Sequence, residues 1–284
     1  MKKLIQRLLI FIIGLPLVIV IVLFLPYRKH LAVNILVILF SGLGALEFTV
    51  ILGKKGMAIP PVEALILGVL GPAVLTVTSS LGLEARLLPL VYTLGAFWLL
   101  VSRIFCSTEQ LAAYTSRIAA GFSVMLYPGL FMVWVVRMTM FPGAGPVILV
   151  FLLMVFCNDS AAWAAGSLFG KGSRGLVKAS PNKSLAGFIG GLIASILIGL
   201  GADLWMGFTP SRLPCPLAGL LTGFCTGIAA SLGDLAESAL KRSSGIKDSG
   251  VLIPGRGGVL DTIDSIALAA PVFYMLYQFF YTHG

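Results

Sequence analysis

The chain has 284 residues, of which 58% are hydrophobic and 11% charged, and its mean hydropathy is +1.02. Soluble domains carry about 25% charged residues, so this composition excludes a single water-facing globule and makes the bilayer part of the solvent. The net charge of +9 fits basic cytoplasmic loops facing anionic lipid, and no nucleic-acid-binding module accompanies it.

Apolar segments of about 20 residues, the length that crosses a bilayer, recur near 8–26, 31–52, 60–80, 87–105, 119–136, 145–167, 185–206, 215–232 and 265–281. The expected fold is an all-α integral membrane protein with about nine transmembrane helices. Residues 1–150 form an N-terminal multi-span region, and residues 151–284 a C-terminal membrane region that carries the site. The first run is followed by Tyr27-Arg28-Lys29-His30 with no small-residue cleavage site, so it reads as a retained span and not as a signal peptide. With the N-terminus inside, 15 Lys and Arg fall on inside loops and five (Arg28, Lys29, Arg86, Arg137 and Arg212) outside. That asymmetry satisfies the positive-inside rule and puts the basic loops 168–184 and 233–264 in the cytoplasm. Cys106, Cys157, Cys215 and Cys225 make no CxxC pair and read as free thiols.

Acidic residues are scarce, 11 in all. Glu47 and Glu63 stand singly in apolar spans, where pairing with Lys54 or a backbone carbonyl is expected in preference to lining a cavity. Asp159, Asp234, Glu237, Asp248, Asp261 and Asp264 concentrate in the second half, in or beside spans and the two basic loops. Ionisable groups at membrane depth need a partner, an ion or a wet cavity. A helix over 232–242 places Asp234, Ser238 and Lys241 on one face, and Asp261 and Asp264 likewise share a face. Between them Gly245, Gly250, Pro254, Gly255, Gly257 and Gly258 forbid a regular helix and allow close backbone approach to a ligand. Carboxylates flanking a basic glycine loop suit a magnesium–triphosphate site. Each element alone has a plainer reading, a neutralising Asp234–Lys241 pair or a simple turn; their convergence favours a site.

Ser238, Lys241-Arg242, Lys247-Asp248-Ser249-Gly250, Ile253-Pro254-Gly255, Gly257-Gly258 and Asp261 to Asp264 together resemble the signature of the phosphatidate cytidylyltransferase family. The upstream Asn158-Asp159-Ser160, Gly166, Phe169-Gly170-Lys171, Ser180-Pro181-Asn182-Lys183-Ser184 and Gly187 to Gly191 are similar to that family too, and the resemblance covers about 157–275. Arg256 stands where the family usually has His, Thr262 where it has Arg, and Asn182, Ser184 and Ala186 where it has Lys, Thr and Glu.

The resemblance implies transfer of a cytidylyl group from CTP to phosphatidate, releasing pyrophosphate and forming CDP-diacylglycerol. Asp234, Lys241, Arg242, Asp261 and Asp264 are the expected catalytic groups. Asp159, Asp234, Asp261 and Asp264 are the expected ligands of magnesium, with room for a second cation. Asn158, Ser180, Lys183, Ser238, Lys247, Asp248 and Arg256 are expected to meet substrate. The expected partners are CTP, phosphatidate and the bilayer, with homodimer formation left open and no nucleic acid. A bacterial inner membrane, with the site facing the cytoplasm, is the expected location. The rivals are a CTP-dependent lipid-alcohol kinase, a transporter built on intramembrane charges, and a relative that has lost catalysis.

Overall fold

The structure, a computed structural model, describes residues 13–83, 87–104, 107–175, 177–205, 207–253 and 257–282. Within them the elements in chain order are α1 (Leu15–Phe24), α2 (Tyr27–Gly53), α3 (Pro61–Ser80), α4 (Leu87–Val101), α5 (Thr108–Ala112), α6 (Tyr114–Met138), α7 (Ala144–Phe169), α8 (Leu185–Trp205), α9 (Leu217–Ser243) and α10 (Leu260–Tyr281). Among the described residues there is no strand, and seven helices (α2, α3 and α6 to α10) are long and apolar enough to cross a membrane. The chain is an all-α integral membrane protein. Each apolar segment of the sequence holds a helix, although α1 and α4 contribute 10 and 15 described residues, less than a full span.

α9 joins the apolar span that ends near 232 to the helix expected over 232–242 in one continuous helix that stops at Ser243. Hydropathy falls at Asp234, but Leu, Ala, Glu, Lys and Arg are good helix formers and carry the backbone onward. The stop is set by Gly245, whose φ of 70° ends the helix in a left-handed turn. Ile246 N–H donates to Lys241 O at 3.0 Å and Gly245 N–H to Arg242 O at 3.1 Å, which satisfies the last carbonyls.

The described residues divide into two compact units. The first comprises the residues up to Met140 together with Leu240–Ile263. In it α2 and α3 meet through small residues: a Cβ on Gly68 would lie 2.5 Å from that of Ala45. Ser41 donates to Gly68 O at 2.7 Å and also contacts Pro128 O. Pro128 removes one backbone donor from α6, which widens into a π-helical turn over Met125–Leu130. Glu63 is paired with Arg117 and accepts from Trp98 Nε1 at 3.2 Å, so its partner is another span and not the expected Lys54.

The second unit comprises Phe141–Ala239 with the residues from Asp264 onward. Gly187, Gly191, Ser195 and Gly199 recur every fourth residue on α8, and Gly219, Gly223, Gly227 and Ser231 do so on α9. These stripes let backbones touch: a Cβ on Gly191 would lie 2.8 Å from Asn158 O of α7, and one on Gly223 would lie 2.8 Å from Ile196 Cα of α8. In lipid such contact replaces the hydrophobic drive that helix association lacks there. On α10, Phe273, Tyr277 and Tyr281 stack at successive turns, with ring centroids 5.9 and 5.0 Å apart.

Candidate active site

In the second unit Asn158, 1% exposed, sits where α7, α8 and α9 converge. Its amide donates to Ser195 Oγ at 3.1 Å and to Gly227 O at 3.2 Å, and its carbonyl accepts from Ser231 Oγ at 3.1 Å. Ser195 in turn donates to Met154 O at 3.0 Å. An amide buried in apolar surroundings is costly unless its donors and acceptor are used. Here they tie three spans together beneath a pocket.

That pocket has a volume of about 390 Å³. Asn158, Asp159 and Trp163 of α7 line it with Arg174, Asn182 and Lys183 of the loop 170–184 and Asp234 of α9. The loop returns to α8 by the pairing of Arg174 with Ser184 and by Leu185 N–H donating to Ser173 O at 3.2 Å. Ser184 then accepts from Gly187 N–H at 3.1 Å, the N-cap bond of α8. Serine in place of the family's usual threonine therefore keeps the cap.

Lys183 Nζ lies 2.5 Å from Asp234 Oδ2, with side chains 29% and 35% exposed. Ser238 Oγ is 3.5 Å from Asp234 Oδ1, one turn along the helix. Ser265 Oγ of α10 is 3.5 Å from Asp159 Oδ1. Asp264 is buried, with its Oδ1 turned to the N–H of Ser265. The pocket thus assembles Asn158, Asp159, Lys183 and Asp234, which the sequence singles out, and adds Arg174 and Asn182, which it did not rank as site residues. Ser180 belongs to the same loop but not to the pocket wall.

The first unit holds a second polar cluster around the glycine loop. Lys241 is paired with Asp261, and both side chains are well shielded, at 12% and 8% exposure. Asp234 and Lys241 therefore do not neutralise each other: each has found a partner far along the chain. The second oxygen of Asp261 accepts from Ser249 N–H at 3.1 Å, Ser249 Oγ at 3.0 Å and Gly258 N–H at 2.7 Å. Glu47 of α2 accepts from Ser249 Oγ at 3.0 Å, Val259 N–H at 2.9 Å and Leu260 N–H at 2.8 Å. Glu47 thus caps the start of α10, where unpaired N–H groups and the helix dipole favour an anion. This corrects the expected pairing with Lys54.

Sequence reasoning could have flagged Glu47 only as a lone acid at membrane depth. The loop's glycines follow from it: a Cβ on Gly250 or Gly258 would lie 2.8 or 2.7 Å from Glu47 Cδ. Gly257 has a φ of 113°, and Ile253 and Gly257 exchange backbone bonds of 2.8 and 3.0 Å that close the turn. Pro254, Gly255 and Arg256 lie outside the described residues. Thr262 donates to Gly258 O at 3.3 Å. Arg242, Lys247 and Asp248 are exposed.

Among the described residues no three His, Cys, Asp or Glu side chains converge in a metal-binding arrangement, and two of the four expected magnesium ligands hold lysines.

Fold and clusters define a polytopic helical membrane protein that keeps lysine–aspartate pairs in polar surroundings. The chain matches the profile of the cytidylyltransferase family over residues 5–280 and belongs to that family. It is 42% identical over 139 residues to a phosphatidate cytidylyltransferase of Haemophilus influenzae, a stretch that is 47% of this chain and 46% of that protein. It is 38% identical over 142 residues to the uncharacterized protein YnbB of Escherichia coli, covering 48% and 44% respectively. A phosphatidate cytidylyltransferase of Bacillus subtilis is 37% identical over 130 residues, covering 45% of this chain and 46% of that one. The chain spans about half the length of the curated relatives it matches.

Proposed function

We propose that the protein is a membrane cytidylyltransferase that converts CTP and phosphatidate to CDP-diacylglycerol and pyrophosphate. The observation that carries this reading is the pocket of the second unit. Lys183 and Arg174 supply positive charge and Asn182 a polar edge, while Trp163, 76% exposed, and Phe188 supply apolar wall. A phosphate-bearing amphiphile needs both kinds of surface.

In the reaction a non-bridging oxygen of the phosphatidate phosphate attacks the α-phosphorus of CTP. A new Pα–O bond forms, the Pα–O bond to the β-phosphate breaks, and pyrophosphate leaves with the electron pair. Both reactants are anions, so charge neutralisation is the main task. Lys183 and Lys241 rest on Asp234 and Asp261. An entering phosphate competes with each carboxylate for the ammonium group, so each pair stores a cation in a defined place. Phosphate is ionised at neutral pH and needs no general base, which makes Arg256 tolerable where the family usually has His. Lys247 and Arg242, both exposed, are further cations suited to phosphate. Magnesium belongs to this proposal as the counter-ion carried by the triphosphate. The excess of basic residues on one set of loops supports an inner-membrane protein whose site faces the cytoplasm.

Purified protein in micelles with phosphatidate, magnesium and CTP labelled at the α-phosphorus tests the reading. Label entering the lipid with release of pyrophosphate, abolished in Asp261→Asn, is the expected result. Label entering the lipid only from γ-labelled CTP would replace this reading with a lipid-alcohol kinase.

A further inference from the structure

We infer that Glu47, on α2, is a positioning residue that holds the glycine loop and the start of α10 in the geometry the reaction uses. The inference rests on the proposed cytidylyl transfer and extends it to a residue far from the motif in sequence.

Among the described residues of the 244–259 loop, the carboxylate anchors come from two acids, Asp261 through Ser249 and Gly258 and Glu47 through Ser249 and Val259. The loop is rich in glycine, and Val251 at its tip is 94% exposed. Such a segment loses much conformational entropy on ordering. Glu47 gives it three anchors, Ser249 Oγ, Val259 N–H and Leu260 N–H, at 2.8–3.0 Å. Charge-assisted bonds of this kind are stronger than neutral ones.

These anchors bear on Asp261 and Lys241. Asp261 follows directly on Leu260, so a fixed start of α10 fixes its carboxylate. The Ser249 hydroxyl lies 3.0 Å from both Glu47 Oε2 and Asp261 Oδ2. It has one proton and serves one carboxylate at a time, so the two acids share a single bridging group. Lys241 rests on the other oxygen of Asp261. Loss of the Glu47 charge therefore displaces the loop, the aspartate and the lysine together. Glutamine at this position keeps the shape, but because Val259 N–H and Leu260 N–H use different carboxylate oxygens, its N–H₂ group must face one of these two donors.

The test compares wild type, Glu47→Gln and Gly250→Ala in nanodiscs. Gly250→Ala leaves Glu47 intact and pushes its carboxylate from the loop side, since the new Cβ would lie 2.8 Å from Cδ. Two quantities are read: deuterium exchange of the 244–262 peptide, and kcat and KM for CTP with α-labelled nucleotide. The expected result is faster exchange in both variants. With it, kcat falls by about a hundredfold in Glu47→Gln and about tenfold in Gly250→Ala, more than KM rises. Wild-type exchange in Glu47→Gln would overturn the inference, as would faster exchange with kcat within about twofold of wild type. A wild-type chain that transfers no label overturns the functional reading instead; in those samples faster exchange sustains the clamp and unchanged exchange removes it.

Discussion

Two helices begin beneath a carboxylate lent by another helix, and they differ in what that carboxylate also touches. At α9 the acid is Asp203 of α8, 7% exposed, which accepts from Gly219 N–H at 2.8 Å and from Tyr281 OH at 2.6 Å. At α10 the acid is Glu47 of α2, which accepts from Val259 and Leu260 N–H and shares Ser249 with Asp261. The device is the same: an anion placed where a helix leaves its first N–H groups unpaired. Around Asp203 the surroundings are a phenol and a backbone, and the device only joins spans. Around Glu47 they include a lysine–aspartate pair, and the same device joins a helix start to a glycine loop and, through Ser249, to that pair. A buried acid in a span is therefore not functional by position alone; its neighbours decide.

The sharpest break in this comparison comes from Lys241→Ala, which removes a cation from the Glu47 side. Cytidylyl transfer is expected to fall by about 10²–10³-fold in the α-label assay. Asn158→Ala removes the hub that joins α7, α8 and α9 without touching either cap. A loss of about 2 kcal/mol in unfolding free energy is expected, read by titration with a denaturing detergent, because Ser195 and Ser231 lose their partner. Asp203→Asn is the direct counterpart of Glu47→Gln. It is expected to lower stability by about 1 kcal/mol while leaving turnover within about twofold, and a tenfold loss of turnover would erase the distinction between the two caps. Tyr281→Phe, the mildest change, removes one hydroxyl from Asp203 and leaves the cap bond. An effect of about 0.6 kcal/mol on the same titration is expected, with transfer unchanged.

Much of the fold was legible because a bilayer imposes one length and one polarity on every span. That the span ending near 232 and the helix over 232–242 are one element was less legible, since hydropathy drops at Asp234 while helix propensity continues to Ser243. The acids and bases near the motif were legible as a group, but their pairing was not. Asp234 and Lys241 share a helical face, yet their partners are Lys183 and Asp261, brought in by chain reversals that periodicity does not encode. Glu47 and Ser249 are 202 residues apart. No local pattern in an apolar span says which distant helix start will receive its single acid. Asn158 stands in the motif beside Asp159, but its amide is occupied by helix packing, a role that sequence does not separate from substrate contact.

The small-residue stripes of α8 and α9 have a consequence for how the protein can change over generations. Where Gly191 lies against Asn158 O and Gly223 against Ile196, the spacing of the spans is set by main chain. No side chain there can be trimmed or repacked to absorb an added methyl group. Lipid-facing positions of the same helices, such as Ile189, Ile193 and Leu197, are about half exposed and can exchange one apolar residue for another freely. Neutral drift in this region is thus one-sided. The spacing of α7, α8 and α9 is inherited through glycine and serine, while the face turned to the membrane is open to whatever lipid composition a lineage adopts.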